Sequence, residues 1–192
     1  MSSIEDVVRA VEAGELIVVP TDTVYGLACA PEREESVRAL SVLKGRVPEQ
    51  PIALVGASVD ALRTIVPELP EQGLLTGPFT LVLPNAQRRL PWLSGSRPEA
   101  IGVRLPALAG AAFDLLSTVG VVAATSANLH GGPEPRRLED VPPEIRSAVG
   151  ALLDGGELPG TPSTVIDLTG DEPRVLREGA VPAAEALARL SK

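Results

Sequence analysis

From one end of the chain to the other, short continuous apolar runs alternate with segments whose apolar residues recur at helical spacing, and that alternation limits the fold more than any other feature. LIVVP (16–20), PIALV (51–55), FTLVL (79–83), IGVRL (101–105), VVAAT (121–125), STVIDL (163–168) and RVLRE (174–178) read as strands. Ile4, Val7, Val8 and Val11 share one helical face, with Ser2 or Ser3 as N-cap and Gly14 past the last turn. Val37, Leu40 and Leu43 mark a helix over 33–43 that stops at Gly45, and Ser58 caps a short one through Leu62 and Ile65. Residues 107–118, 139–148 and 182–190 read as further helices, and PTDTVYGLA (20–28) as a loop. Such interleaving predicts an α/β fold: a single domain over 1–192, with a twisted, open, mixed sheet (parallel and antiparallel) and flanking helices.

Composition then removes several classes of function. With one cysteine, Cys29, and one histidine, His130, there is neither an internal disulfide nor a histidine- or thiolate-based structural zinc site. Cys29 follows an apolar stretch with no histidine nearby and reads as a buried structural thiol. Glu5, Asp6 and Glu12 stand where a signal peptide would be basic and then apolar, and no apolar run nears the roughly 20 residues of a membrane span, so a cytoplasmic protein with no membrane contact is expected. A net charge of −8 argues against coating a polyanion. Tyr25, Phe79, Trp92 and Phe113 are the whole aromatic complement, too few for a stacking platform on single-stranded nucleic acid. No phosphate-binding loop, dinucleotide fingerprint or nucleophile elbow is present, and nothing but spacing connects Ser126 to His130.

What remains is a set of hydroxyl, amide and cationic residues in loops behind strands, where open α/β sheets gather ligands. Lys44 and Arg46 follow a helix end; they either complement its macrodipole or converge on one anion, and loop cations of the second kind would cost activity rather than stability when removed. Thr21, Thr23 and Tyr25 alternate, as do Ser126 and Asn128, so each set can share a face or simply form a turn. Arg104 lies inside an apolar strand, where an unpaired charge is expensive. Its anion is either a structural carboxylate, such as Asp167 or Glu178, or a substrate carboxylate. Asp22 and Asp167 are lone carboxylates, and no carboxylate pair suggests acid–base work.

Taken together, these segments resemble the YrdC-like threonylcarbamoyl-AMP synthase family (TsaC) in its single-domain form. PTDTVYGLA (20–28) looks like the family's opening signature, Lys44-Gly45-Arg46 its K-x-R element, and Ser126-Ala127-Asn128 its S-x-N element. GPFTLVLP (77–84), VRLP (103–106), PSTVID (162–167) and LREGA (176–180) follow in the family's order, and the likeness covers nearly the whole chain. The departures are Gln50 where Asn or Lys is common, Val55 where a histidine sometimes stands, and His130 in place of a frequent serine.

The resemblance implies condensation of L-threonine, bicarbonate or CO₂, and ATP into threonylcarbamoyl-AMP, with release of pyrophosphate. The product serves threonylcarbamoyladenosine formation in tRNA through downstream transfer proteins, direct tRNA contact being weak. It implies Lys44, Arg46, Ser126 and Asn128 as catalytic residues, and adds Gln50, Glu134 and Arg177 to them around ATP. Thr21, Thr23, Tyr25, Arg104, Ala124 and Ser163 are implied around threonine, with Arg104 on its carboxylate. Mg²⁺ is expected to arrive with ATP, since no carboxylate cage is dedicated to it. The competing reading is a non-catalytic RNA-binding module of the same fold, which the negative charge and scarce aromatics disfavour.

Overall fold

The computed structural model describes residues 2–47, 49–70 and 75–190. In chain order they form α1 (Ile4–Ala13), β1 (Ile17–Val19), β2 (Gly26–Cys29), α2 (Glu34–Lys44), β3 (Ala53–Gly56), α3 (Val59–Ile65), β4 (Phe79–Pro84) and β5 (Ala100–Arg104). Then follow α4 (Gly110–Val119), β6 (Val121–Ser126), α5 (Pro143–Ala148), β7 (Ala151–Leu152), β8 (Thr164–Asp167), β9 (Arg174–Arg177) and α6 (Ala183–Leu190). All the strands join one mixed sheet in the order β7-β1-β2-β6-β3-β5-β4-β8-β9. β1–β7, β3–β5 and β4–β8 pair in parallel and the other neighbours antiparallel, so the α/β, open, mixed-sheet expectation holds. No helix among the described residues is long and apolar enough to cross a membrane.

Local chemistry explains the helix ends. Ser3 caps α1 in a reciprocal box with Asp6, and Gly14 closes it in the left-handed conformation. Gly45 does the same for α2, its N–H turned back to the Ser41 and Val42 carbonyls, so Lys44 is the last helical residue.

The sheet has two unlike halves. On one face, Val7 and Val11 of α1 and Leu115 and Leu116 of α4 pack on Ile17, Val19, Ala28 and Val122. On the other, Leu40 of α2, Leu62 of α3 and Ile145 of α5 cover Leu27, Leu54, Leu81 and Ile166. β1 and β2 are therefore buried at every position. Along β4, β5 and β8, buried residues instead alternate with half-buried ones, and the half-buried Thr80, Val82, Gly102, Arg104 and Val165 face a cleft.

Several local readings change, and the two-residue β7 is a strand that the sequence reading did not include. The second half of PTDTVYGLA is not loop but β2, a wholly buried strand between β1 and β6, which four residues of apolar and small side chains did not announce. The helix over 139–148 splits into a 3-10 turn at Leu138–Asp140 and α5, because Pro142 and Pro143 cannot donate the backbone bonds that would join them. The helix over 107–118 begins only at Gly110.

Candidate functional site

The open half of the sheet holds a cleft of about 690 Å³. Its floor is small because the strands supply little side chain there: Gly26, Ala124, Ala53 and Gly102 border it from the four adjacent strands β2, β6, β3 and β5. Gly95 has a φ of +59° and lies where a Cβ would come 2.1 Å from the Glu49 carbonyl oxygen, so only glycine lets the Ser94–Ser96 turn close onto the cleft wall. Arg46, Gln50, Ser126, Glu134, Ser163, Arg177, Arg104, Thr21, Thr23 and Ala124 border the cleft. Lys44, Tyr25 and Asn128 do not.

Lys44 is not a loop cation. It ends α2, is only 5% exposed, and its ammonium lies behind the S-x-N turn. Nζ donates to the Ser126 carbonyl (2.5 Å), Asn128 Oδ1 (2.6 Å) and the Asn128 carbonyl (2.8 Å), with Ser126 Oγ at 3.2 Å. Every acceptor is neutral, so the donors are engaged while no carboxylate touches the ammonium. Burial, and secondarily Arg46, push its pKa down to about 8, with Glu134 pulling the other way. Asn128 is equally committed: Oδ1 accepts from Lys44 and from Ser126 Oγ (2.7 Å), and Nδ2 donates to the Gly132 carbonyl (2.6 Å). The His130 backbone N–H caps the Lys44 carbonyl at 2.9 Å while its side chain is exposed, so the substitution at that position leaves the turn intact.

Arg46 borders the cleft with its guanidinium fixed by Thr125 Oγ1 (2.8 Å), Gln50 Oε1 (3.1 Å) and the Pro51 carbonyl (2.9 Å). Arg177 donates to the Ser163 carbonyl at 2.8 Å, and Ser163 Oγ lies 2.8 Å from Thr80 Oγ1. These two arginines make the open rim cationic even though the whole chain is acidic.

Arg104 answers the question its strand posed. Its internal partner is Asp22, not Asp167 or Glu178: Nη2 donates to Asp22 Oδ1 and, at 2.8 Å, to Thr23 Oγ1. Asp167 instead pairs with Arg97 at 2.8 Å. Arg104 and Asp22 side chains are 11% and 8% exposed, so this is a desolvated pair. Arg104 Nε nevertheless has no partner, a defect of about 1–3 kcal/mol if nothing else met it. Four buried side-chain polar atoms are unpartnered among the described residues, and three of them (Ser94 Oγ, Arg104 Nε and Glu134 Oε2) belong to residues bordering this cleft. A region that concentrates unmet hydrogen bonds in this way is built for a polar ligand.

Alternation brought Thr21 and Thr23 together (3.0 Å between hydroxyls), inside a turn that Thr21 Oγ1 closes on the Val24 carbonyl. It failed for Tyr25. That residue is fully buried on the far side, its hydroxyl donating toward Asp154 Oδ1 (2.8 Å) and the Gly156 carbonyl (2.9 Å) and accepting from the Gly155 N–H (2.9 Å). The chain turns at 21–24 before entering β2, so the period of two does not run through. Sequence reasoning also passed over Thr125 and Ser94, ordinary hydroxyls with no local signal, and left Asp22 without a role.

A family model described as "Telomere recombination", the Sua5–YciO–YrdC family, matches residues 9–179. The threonylcarbamoyl-AMP synthase of Pyrococcus abyssi is 34% identical over 182 residues, 91% of this chain and 53% of that one, so the chain spans about half the length of this relative. That of Stenotrophomonas maltophilia is 32% identical over 161 residues, 80% of this chain and 86% of the relative. Among solved structures, P. abyssi Sua5 complexed with L-threonine is similar with a TM-score of 0.87 at 32% identity, covering 97% of this chain and 56% of that one.

Proposed function

The chain belongs to the Sua5–YciO–YrdC family, and from that premise we propose that it condenses L-threonine, bicarbonate or CO₂, and ATP into threonylcarbamoyl-AMP. The observation that carries the reading is Arg104 at the cleft wall, a guanidinium engaged by the described residues only through Nη2, in a family whose P. abyssi member is solved with L-threonine. A guanidinium held from behind by Asp22 and Thr23 is a receptor for an amino-acid carboxylate.

The chemistry then follows from charge. Threonine's amine and bicarbonate give a carbamate and water; a carbamate oxygen forms a bond to the α-phosphorus as the bond to pyrophosphate breaks. An anion must approach a polyanion, so positioning and fixed positive charge do the catalytic work and no histidine or thiol base is required. Arg46 and Arg177 border the cleft and are assigned to the triphosphate, with Gln50 bracing Arg46. Ser126 borders the cleft while its hydroxyl donates to Asn128 Oδ1, and it is assigned to the reacting groups as the part of the S-x-N turn nearest them. Lys44 and Asn128 act from beneath: they fix the S-x-N turn, and the Lys44 charge is felt through it. Thr21, Thr23, Ala124 and Ser163 shape the threonine end.

No three His, Cys, Asp or Glu side chains gather into a metal cage among the described residues. Glu134 is the one carboxylate among the described residues bordering the cleft, and its Oε2 is unpartnered, which fits a Mg²⁺ ion brought by ATP. Such an ion would be held by Glu134 and phosphate oxygens and would supply charge neutralisation. The product would pass to proteins that modify tRNA in the cytoplasm, where ATP and tRNA are found. Pyrophosphate release from ATP, measured with threonine and bicarbonate each present or withheld, tests the reading. Dependence on both supports it; threonine-independent turnover removes it.

A further inference from the structure

Asp22 lies on the side of Arg104 away from the cleft, bordering a smaller cavity with Pro20 and Leu108 rather than the substrate cleft itself. Its two oxygens do different things. Oδ1 takes Nη2 of Arg104, and Oδ2 accepts the Ala107 N–H at 3.0 Å, in the segment that leads from β5 to α4. Asp22 follows β1, and β1 and β5 are separated in the sheet by β2, β6 and β3, so this one carboxylate ties together two loops that the sheet keeps apart. With Thr23 Oγ1 on the same nitrogen, both Nη2 hydrogens are spoken for; Nε is unpartnered but buried, and the two N–H donors of Nη1, which is not buried, have no partner among the described residues.

We propose that Asp22 is a positioning residue for the amino-acid carboxylate: it locks the Arg104 guanidinium from behind through Nη2 so that Nη1 is kept for the substrate. The inference rests on the synthase reading and adds to it a residue that touches no substrate. Two consequences separate it from simple structural support. Disturbing Asp22 weakens threonine binding while ATP binding stays as in the parent, because the nucleotide is held by other arginines. The effect of Asp22 also disappears once Arg104 is replaced, because Asp22 acts only through it.

The experiment is calorimetric titration of L-threonine, and separately of ATP, into the parent, Asp22→Asn, Asp22→Glu, Arg104→Lys and the Asp22→Glu/Arg104→Lys double variant. Asp22→Asn keeps the shape but removes the charge behind a buried cation; Asp22→Glu keeps the charge and displaces it, which preserves folding if the first variant unfolds. Each single Asp22 variant is expected to weaken threonine at least about tenfold with ATP within about twofold, and the double variant to match Arg104→Lys. Threonine binding equal to the parent's in a folded Asp22→Glu variant overturns the inference and leaves the synthase reading standing. Equal loss of threonine and ATP, or additive losses in the double variant, assigns Asp22 to the fold alone and overturns it too. A parent that binds ATP but no threonine overturns both.

Discussion

Lys44, at the end of α2, and Arg104, at the end of β5, are both cations with little exposed side chain, yet they are stabilised in opposite ways. Lys44 has its donors filled by four neutral acceptors of one turn, and its charge is balanced by no carboxylate in direct contact. Arg104 has its charge balanced by Asp22 but keeps its Nε and Nη1 donors unfilled among the described residues. A saturated cation that no carboxylate touches is a source of field: it stabilises negative charge developing beyond the turn without touching it. A compensated cation with a free N–H is a directional receptor: it adds little net charge and selects a group that can take that hydrogen bond. The difference matches the two tasks assigned to the cleft, holding a polyphosphate through electrostatics and recognising one amino acid through geometry.

Removing the source of field should have the largest effect. Lys44→Met fills similar volume but strands the acceptors of Ser126 and Asn128, so both the turn and the charge are lost. Pyrophosphate release is expected to fall by about a hundredfold or more, and stability by about 3 kcal/mol. Steady-state rates alongside a denaturant melt check it. A variant that keeps parental stability would show that the turn holds itself without Lys44, and the contrast with Arg104 would fail on its first limb.

Arg104→Lys tests the receptor. The charge opposite Asp22 stays, so folding and ATP binding should be nearly parental, but the planar fork is gone. Threonine affinity is expected to drop at least about tenfold, or about 1.4 kcal/mol. A destabilised protein with normal threonine binding would make the Asp22–Arg104 pair purely structural.

A third, smaller effect comes from pH and separates the two cations, since only Lys44 loses its proton in an accessible range. Its pKa near 8 lies below the ordinary 10.5. Between these values the unfolded chain still holds the proton that the folded one has released, so this group's contribution to stability rises with pH across that window. The rate should move the other way. kcat/KM for ATP should fall roughly fourfold between pH 7 and 8.5 as a single titration near 8, while the melting curve shows no matching loss from Lys44. In kcat the limb should shift upward, because bound phosphate favours the ammonium. A flat kcat/KM profile would remove Lys44 from the electrostatics.

How legible these features were follows from how local they are. The apolar runs and helical periods placed nearly every element, because a buried strand and an amphipathic helix write themselves into neighbouring residues. β2 escaped since Gly26–Cys29 is too short and too small to alternate, and its burial is decided by β1 and β6 on either side. The site residues were legible as motifs, but the contacts that hold them were not. Lys44 meets Ser126 and Arg104 meets Asp22 across 82 positions each, and no local pattern carries a contact of that range. The demand was visible, as an arginine in an apolar strand needs an anion; which anion was not.

The last prediction uses Tyr25, from the same segment as Asp22 and Thr23 but facing neither cation. Its hydroxyl sits among Asp154, Gly155 and Gly156 on the far side of the turn, and burial pushes its pKa up to about 12, so it remains a neutral donor. Tyr25→Phe removes that hydroxyl and leaves the Asp154 carboxylate and the Gly155 N–H short of a partner. The expected cost is about 1–2 kcal/mol, a drop of roughly 3–6 °C in Tm for a chain of this size. Thr21 and Thr23 stay held by their own turn, so threonine and ATP should bind within about twofold of the parent. Because the family resemblance implies Tyr25 beside Thr21 and Thr23 around threonine, the two arrangements make opposite forecasts for one conservative change. A Tyr25→Phe variant that melts normally but loses threonine would return the hydroxyl to the cleft; one that melts early and binds normally would confine amino-acid recognition to the Asp22–Arg104 side of the turn.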